Sequence, residues 1–299
     1  MTNVNDPYQY GPPIPVQPSK PTGKQILTSS WAMLREDRQL LALPFLSALA
    51  ALLAAGVLFV PGWALGAAIT GNAGKGAAVG GVVAAFAASM VSIYFQAALV
   101  VGANIRADGG TPTLSGVLRA TSKMMGPILS WAALTTTVGV AIRAAEERLG
   151  IFGKIIGFLG GLAWAIATYL AVPVVVAEGL GPIAAAKRSA ELIRTVWGIG
   201  IRTTLRLGMI QLLLVLPSLA ALVVGFVAVV SGSTVGIAVG IVLIVAAVLS
   251  LFALGAVFSA IYSYARAMIY RYATGRPVPG ISAEVLAGAF MPKKKSRFV

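Results

Sequence analysis

Apolar residues come in long uncharged runs separated by short clusters of charge, and the runs set the plan of the chain. Between Arg206 and Arg266 lie 59 residues without a charge, dented only at Ser231-Gly232-Ser233-Thr234. Each half is long enough to cross a hydrocarbon core about 30 Å thick, which takes roughly 20 helical residues. Earlier runs have the same character, and together they predict spans at 39–60, 76–105, 127–147, 155–177, 207–230 and 235–265. Pro61-Gly62 is expected to close the first. Backbone polar groups in lipid must be satisfied within their own segment, so each run is read as a helix. The alternation of a membrane barrel is absent.

A shorter pattern precedes each pair of runs. In 24–38, Ile26, Leu27, Trp31 and Leu34 stand opposite Lys24, Arg35 and Glu36. In 112–126, Leu114, Val117 and Leu118 oppose Arg119 and Lys123. In 182–197, Ala186, Ala190, Ile193 and Trp197 oppose Lys187, Arg188, Glu191 and Arg194. Such segments are expected in the headgroup plane, apolar side toward lipid and basic side toward anionic headgroups. The predicted fold is all-α and polytopic: six transmembrane helices as three hairpins, each preceded by a cytoplasmic amphipathic helix.

Small residues at four-residue spacing open the returning helix of every hairpin: Gly76 and Gly80; Gly153, Gly157 and Gly161; Gly232, Gly236 and Gly240. That spacing lets helix backbones approach closely where lipid offers no hydrophobic drive to associate. Trp31, Trp63, Trp131 and Trp197 flank spans and read as interface anchors, Trp164 as packing.

Charge then orients the bundle. Six spans put both termini on one side. That side carries 19 of the 23 basic residues, the other only Lys75, Arg143, Arg148 and Lys154. The expected orientation is both termini cytoplasmic, in a plasma membrane. Residues 1–22, with six prolines, read as a disordered tail and not as a cleaved signal peptide. Residues 23–276 form the transmembrane domain, and 277–299 a short amphipathic segment with the basic tail. The net charge of +14 points to anionic lipid and not to nucleic acid, because the cations collect between the runs. Arg119, Lys123, Lys187, Arg188, Arg194, Lys293, Lys294, Lys295 and Arg297 are the expected inner-leaflet contacts.

Candidate chemistry is sparse. With no Cys and no His, thiolate chemistry, the usual zinc sites and Ser-His or Cys-His nucleophiles are excluded. No acid lies mid-span, and no catalytic motif, metal set or cofactor fingerprint is found. Gln96, Thr135, Thr136 and Thr137 lie deep and are candidates to line a polar path; plain interhelical hydrogen bonding is the simpler reading. Arg143, with Glu147 at i+4, is a candidate outer-mouth charge or a snorkelling cation in a local pair.

The stretches SSWAMLREDRQLLALP (29–44), AIRAAEERLG (141–150), LAWAIATYLAVPVVVAEGLGPIAAAKRSAELIRTVWG (162–198) and the basic tail resemble an uncharacterised family of bacterial six-span membrane proteins, of actinobacterial type, known only as a domain of unknown function. The resemblance implies fold and location and supplies no catalytic residues. The expected role is non-enzymatic: organising lipid or scaffolding a membrane partner, with homo-oligomerisation expected. A channel or transporter for an ion or small solute is the alternative.

Overall fold

The computed structural model describes residues 23–279. Its described residues form helix and no strand: α1 (Gly23–Glu36), a 3-10 turn (Arg38–Leu41), α2 (Ala42–Thr70), α3 (Ala73–Ala107), α4 (Leu114–Ser122), α5 (Met125–Ala167), α6 (Ala171–Glu178), α7 (Pro182–Val230) and α8 (Thr234–Ala273). Five helical stretches are long and apolar enough to cross a membrane. One of them, Met125–Glu178, has 54 residues. Straight, it would measure roughly 81 Å, but it is not straight. At Gly150 the backbone takes φ 59° and ψ −130°, open only to glycine, and the chain turns back on itself. A Cβ on Gly153 would lie 2.7 Å from the Ala145 carbonyl oxygen, and Gly157 faces the Glu146 side chain, eleven residues earlier.

The three hairpins α2–α3, α5 and α7–α8 share a plan. They converge at one end, called the base, where α1, α4, α6 and the end of α8 also lie. Their turns at Gly71, Gly150 and Gly232 form the tips. Burial is concentrated at the base: Tyr264, Met268, Ile269, Leu34, Leu99 and Leu170 are closed off within one cluster. At the tips, by contrast, Ile69, Phe152 and Val235 are 75%, 77% and 74% exposed. Apolar surface of that extent needs an apolar solvent. Tight backbone contact holds the tips instead. Gly62 and Gly66 of α2 lie against Gly80 and Gly76 of α3, with the Gly80 position 2.8 Å from the Phe59 carbonyl oxygen. In the third hairpin Gly225 meets Gly240, and Gly236 lies against the Ala228 carbonyl.

Several expectations are corrected. Gly161 faces open space, and Gly232 is a turn residue at φ 73°; neither packs helices. Pro61 does not end the first span, since α2 runs through it to Thr70. The 182–197 segment is not a separate surface helix but the first part of α7, which has 49 residues and starts on Pro182. The apolar sides of the three amphipathic segments are covered by protein. Ile26, Leu34, Val117, Ala185, Leu192 and Val196 are all buried in the base cluster. Trp131 is buried and stacks on Trp164 at 6.2 Å, so it packs inside the bundle and is no interface anchor. The Trp197 side chain lies outside the described residues.

The fourth span also departs from a plain helix. It breaks at Thr168–Leu170, between α5 and α6. Pro173 is the cause: its ring would clash with the carbonyl of Tyr169 and it offers no N–H to that carbonyl. The Leu170 N–H left over donates to Ser189 Oγ of α7 at 3.0 Å, within the buried base.

Candidate functional site

The base is the only region among the described residues where charged, aromatic and hydroxyl groups from most helices meet. The end of α8 is its centre, and four of its side chains within eight residues reach four different neighbours. Tyr264 donates to Asp37 Oδ2 at 3.2 Å. Arg266 lies over the Tyr169 ring, 5.1 Å from its centroid. Tyr270 donates to Glu178 Oε1 at 2.8 Å. Arg271 donates to Asp108 Oδ1 at 2.6 Å and to the Pro277 carbonyl at 2.8 Å.

Two of these carboxylates, Asp37 and Glu178, are also met by an arginine from another helix. Asp37, 2% exposed at the end of α1, takes a two-pronged contact from Arg106 of α3, which also reaches Glu36 at 3.4 Å. This is the fork-to-carboxylate geometry of strong charge-assisted bonds. Glu178, following α6, pairs with Arg188 of α7 at 3.3 Å, and Arg188 reaches Glu191 at 3.5 Å. Burial works against the Arg188 charge, but Glu178 and then Glu191 outweigh it and hold its pKa above the ordinary arginine value. Two uncharged links complete the layer: Gln39 donates to the Pro112 carbonyl at 2.7 Å, and Tyr94 to the Leu118 carbonyl at 3.0 Å. These bonds secure α4 and the turn before it to the first hairpin.

Arg188 is thus paired with two carboxylates while its side chain stays 40% exposed. Arg119, Lys123, Lys187 and Arg194 are exposed. Lys293, Lys294, Lys295 and Arg297 lie outside the described residues. The packed chain extends slightly past 276, since Val278 is buried in the base.

The deep polar residues fall into two separate grooves. Thr135 and Thr136 share a groove of about 700 Å³ between α3 and α5 with Ser89, and Arg143 and Glu147 line the same groove toward the tip. Ser89 and Thr135 hydroxyls are 3.4 Å apart, Arg143 pairs with Glu147 at 3.4 Å, and the buried Thr136 hydroxyl has no partner. Gln96 is elsewhere, in a groove of about 370 Å³ between α2, α3 and α8 with Ser47, Ser92 and Ser259. Thr137 turns its hydroxyl back to the Ala133 carbonyl. Gln96 and the threonines thus do not face one path. A third groove, about 460 Å³ and almost wholly apolar, runs between α1, α7 and α8 past Trp31, Leu214 and Phe258.

Sequence reasoning treated Asp37, Asp108, Tyr169, Tyr264 and Arg266 as unremarkable. A local signal existed for one of them: the proline in LAVPVVV forces a helix break, and Tyr169 stands in it.

Five helices long and apolar enough to cross a membrane, with exposed apolar flanks and a packed polar layer at the base, define a multi-pass α-helical membrane protein. Residues 82–278 match the model of the family of unknown function DUF6159, and the chain belongs to that family. Comparison with curated proteins and with solved structures finds no match.

Proposed function

We propose that the chain crosses the plasma membrane six times with both termini cytoplasmic, and acts there as a non-enzymatic protein that organises lipid or scaffolds a membrane partner, as a homo-oligomer. The fold-back at Gly150 supports six crossings, because it divides the 54-residue stretch into two segments of spanning length. The observation that carries the functional reading is the contrast between the two ends. The base is locked by ion pairs and presents Arg119, Lys123, Lys187 and Arg194 outward. Toward the tips, grooves between hairpins lie open at the sides of the helices, where acyl chains lie. Anionic headgroups at the base match the outward cations.

Two measurements test this. The chain lacks cysteine, so single Arg148→Cys and Lys123→Cys variants report sidedness cleanly. Arg148→Cys should react with an impermeant thiol reagent in intact cells, and Lys123→Cys only after permeabilisation. Reconstitution into vesicles of graded phosphatidylglycerol content should show retention rising with anionic fraction, and falling when Arg119, Lys123, Lys187, Arg194 and the Lys293–Lys295 cluster are neutralised. Indifference to both changes rejects the lipid reading.

A channel or transporter is the second reading, favoured by the unpartnered Thr136 hydroxyl beside Ser89 and Thr135. It requires solute flux in proteoliposomes that Thr136→Val abolishes.

A further inference from the structure

Arg266 is the one arginine of α8's buried end whose guanidinium makes no hydrogen bond and no ion pair to any described residue. Its Nε is buried without a partner. Its neighbours on the same helix show the contrast: Tyr264 and Tyr270 each donate to a carboxylate, and Arg271 has both Asp108 and a carbonyl. An arginine donor left without an acceptor in a buried site costs free energy, on the order of 1–3 kcal/mol for a neutral group and more for a charged one. A protein that satisfies its other base arginines so fully leaves this one for something not of its own chain.

The surroundings fit an anion. One face of the guanidinium rests on Tyr169. That ring is held in place by three contacts: the helix break at Thr168–Leu170, the Thr204 hydroxyl donating to Tyr169 Oη at 3.0 Å, and Gly200, where a Cβ would come within 4.0 Å of the ring. Stacking fixes the plane of the guanidinium and leaves its edge, with the parallel N–H donors, as the recognition element. No acidic residue occurs from 192 to 279. The position is at the base, level with the end of the apolar run of α8, where a phosphodiester sits in a bilayer.

We infer that Arg266, set on Tyr169 at the break of the fourth span, with Thr204 holding that ring, binds a phosphate-type oxyanion. The inference deepens the lipid reading above by naming one site. The ligand is a phospholipid headgroup or free inorganic phosphate, which share this chemistry. Recognition is by the guanidinium edge.

The full-length protein, delipidated in a neutral detergent, is titrated separately with phosphatidylglycerol and with inorganic phosphate. Thermal shift and native mass spectrometry are the readouts. The wild type should bind one equivalent of at least one probe. Arg266→Gln should weaken that binding tenfold or more, and Arg266→Lys less, because the ammonium keeps charge but loses the fork. Thr204→Val should weaken it by a smaller factor. Should Arg266→Gln fail to fold, Arg266→Lys and Tyr169→Leu carry the comparison. A response to phosphatidylglycerol alone identifies the lipid source, and a response to both assigns the site to the phosphate group itself. Equal binding of both probes by wild type and all variants, or no binding by the wild type, overturns the site. In that event anionic-lipid dependence of vesicle retention leaves the broader lipid reading standing. Its loss with an intact phosphate response at Arg266 would leave the site and remove that reading.

Discussion

The Tyr264 hydroxyl donates to Asp37 Oδ2 at 3.2 Å, joining residues 227 positions apart in the chain. Asp37 is nearly inaccessible to solvent and has its charge answered by Arg106. The three residues come from the end of α1, the end of α3 and the buried end of α8. One carboxylate thus closes the first hairpin onto the last helix.

Removing that carboxylate strands Arg106, whose side chain is 20% exposed, with only the exposed Glu36 nearby. Breaking one side of a buried pair costs about 3–5 kcal/mol, so Asp37→Ala should lower the thermal midpoint in detergent by many degrees. Tyr264→Phe deletes a single hydrogen bond and should cost about 1 kcal/mol. Similar midpoints for the two variants would contradict the ranking.

Adjacent glycines of α3 provide a matched test of the first hairpin. A Cβ at Gly80 would sit 2.8 Å from the Phe59 carbonyl oxygen and 2.9 Å from the Trp63 nitrogen, whereas Gly81 meets nothing within 4 Å. Gly80→Ala should destabilise by about 1–3 kcal/mol through forced separation of the helices. Gly81→Ala should stabilise by up to about 1 kcal/mol through helix propensity. Thermal unfolding of the two variants side by side decides it.

Gly150 carries the reversal within α5 at a backbone conformation closed to other residues. Gly150→Ala should cost about 1–3 kcal/mol and loosen the contact between Gly153 and Ala145. Thermal unfolding beside the parent chain, and faster hydrogen exchange across residues 145–157 in the variant, check it.

Ser189 is expected to matter through a backbone group and not through its own surface. Ser189→Ala leaves the buried Leu170 N–H unpaired, at a cost of about 1–3 kcal/mol. Hydrogen exchange should show the Leu170 amide losing protection while amides of α2 keep theirs.

The spans were legible because charge is excluded from lipid, and a run of uncharged residues reports that directly. What lay beyond one helix was not. Counting residues along an axis gives Gln96 and Thr135 comparable expected depths, but the direction each faces depends on packing, which sends them to different grooves. An apolar stripe such as Ile26 and Leu34 marks a side that avoids water and does not distinguish lipid from protein as its cover. Pro61 misled because a proline can stay within a long helix, and here Gly62 just after it is clamped against α3. Asp37 sits in an ordinary charged run, Arg35-Glu36-Asp37-Arg38, and only partners 69 and 227 positions away make it buried. No local pattern encodes such a pair.

Because Tyr264, Arg266, Tyr270 and Arg271 all belong to α8, these fasteners of the base emerge from the ribosome after the other described helices have been made. The earlier hairpins must therefore persist in the bilayer on their glycine contacts and on the Asp37–Arg106 and Glu178–Arg188 pairs, with Asp108 still lacking its α8 partner. The base of this molecule is completed late, by the arrival of α8's last two turns, and a chain stalled before residue 264 would hold only part of it.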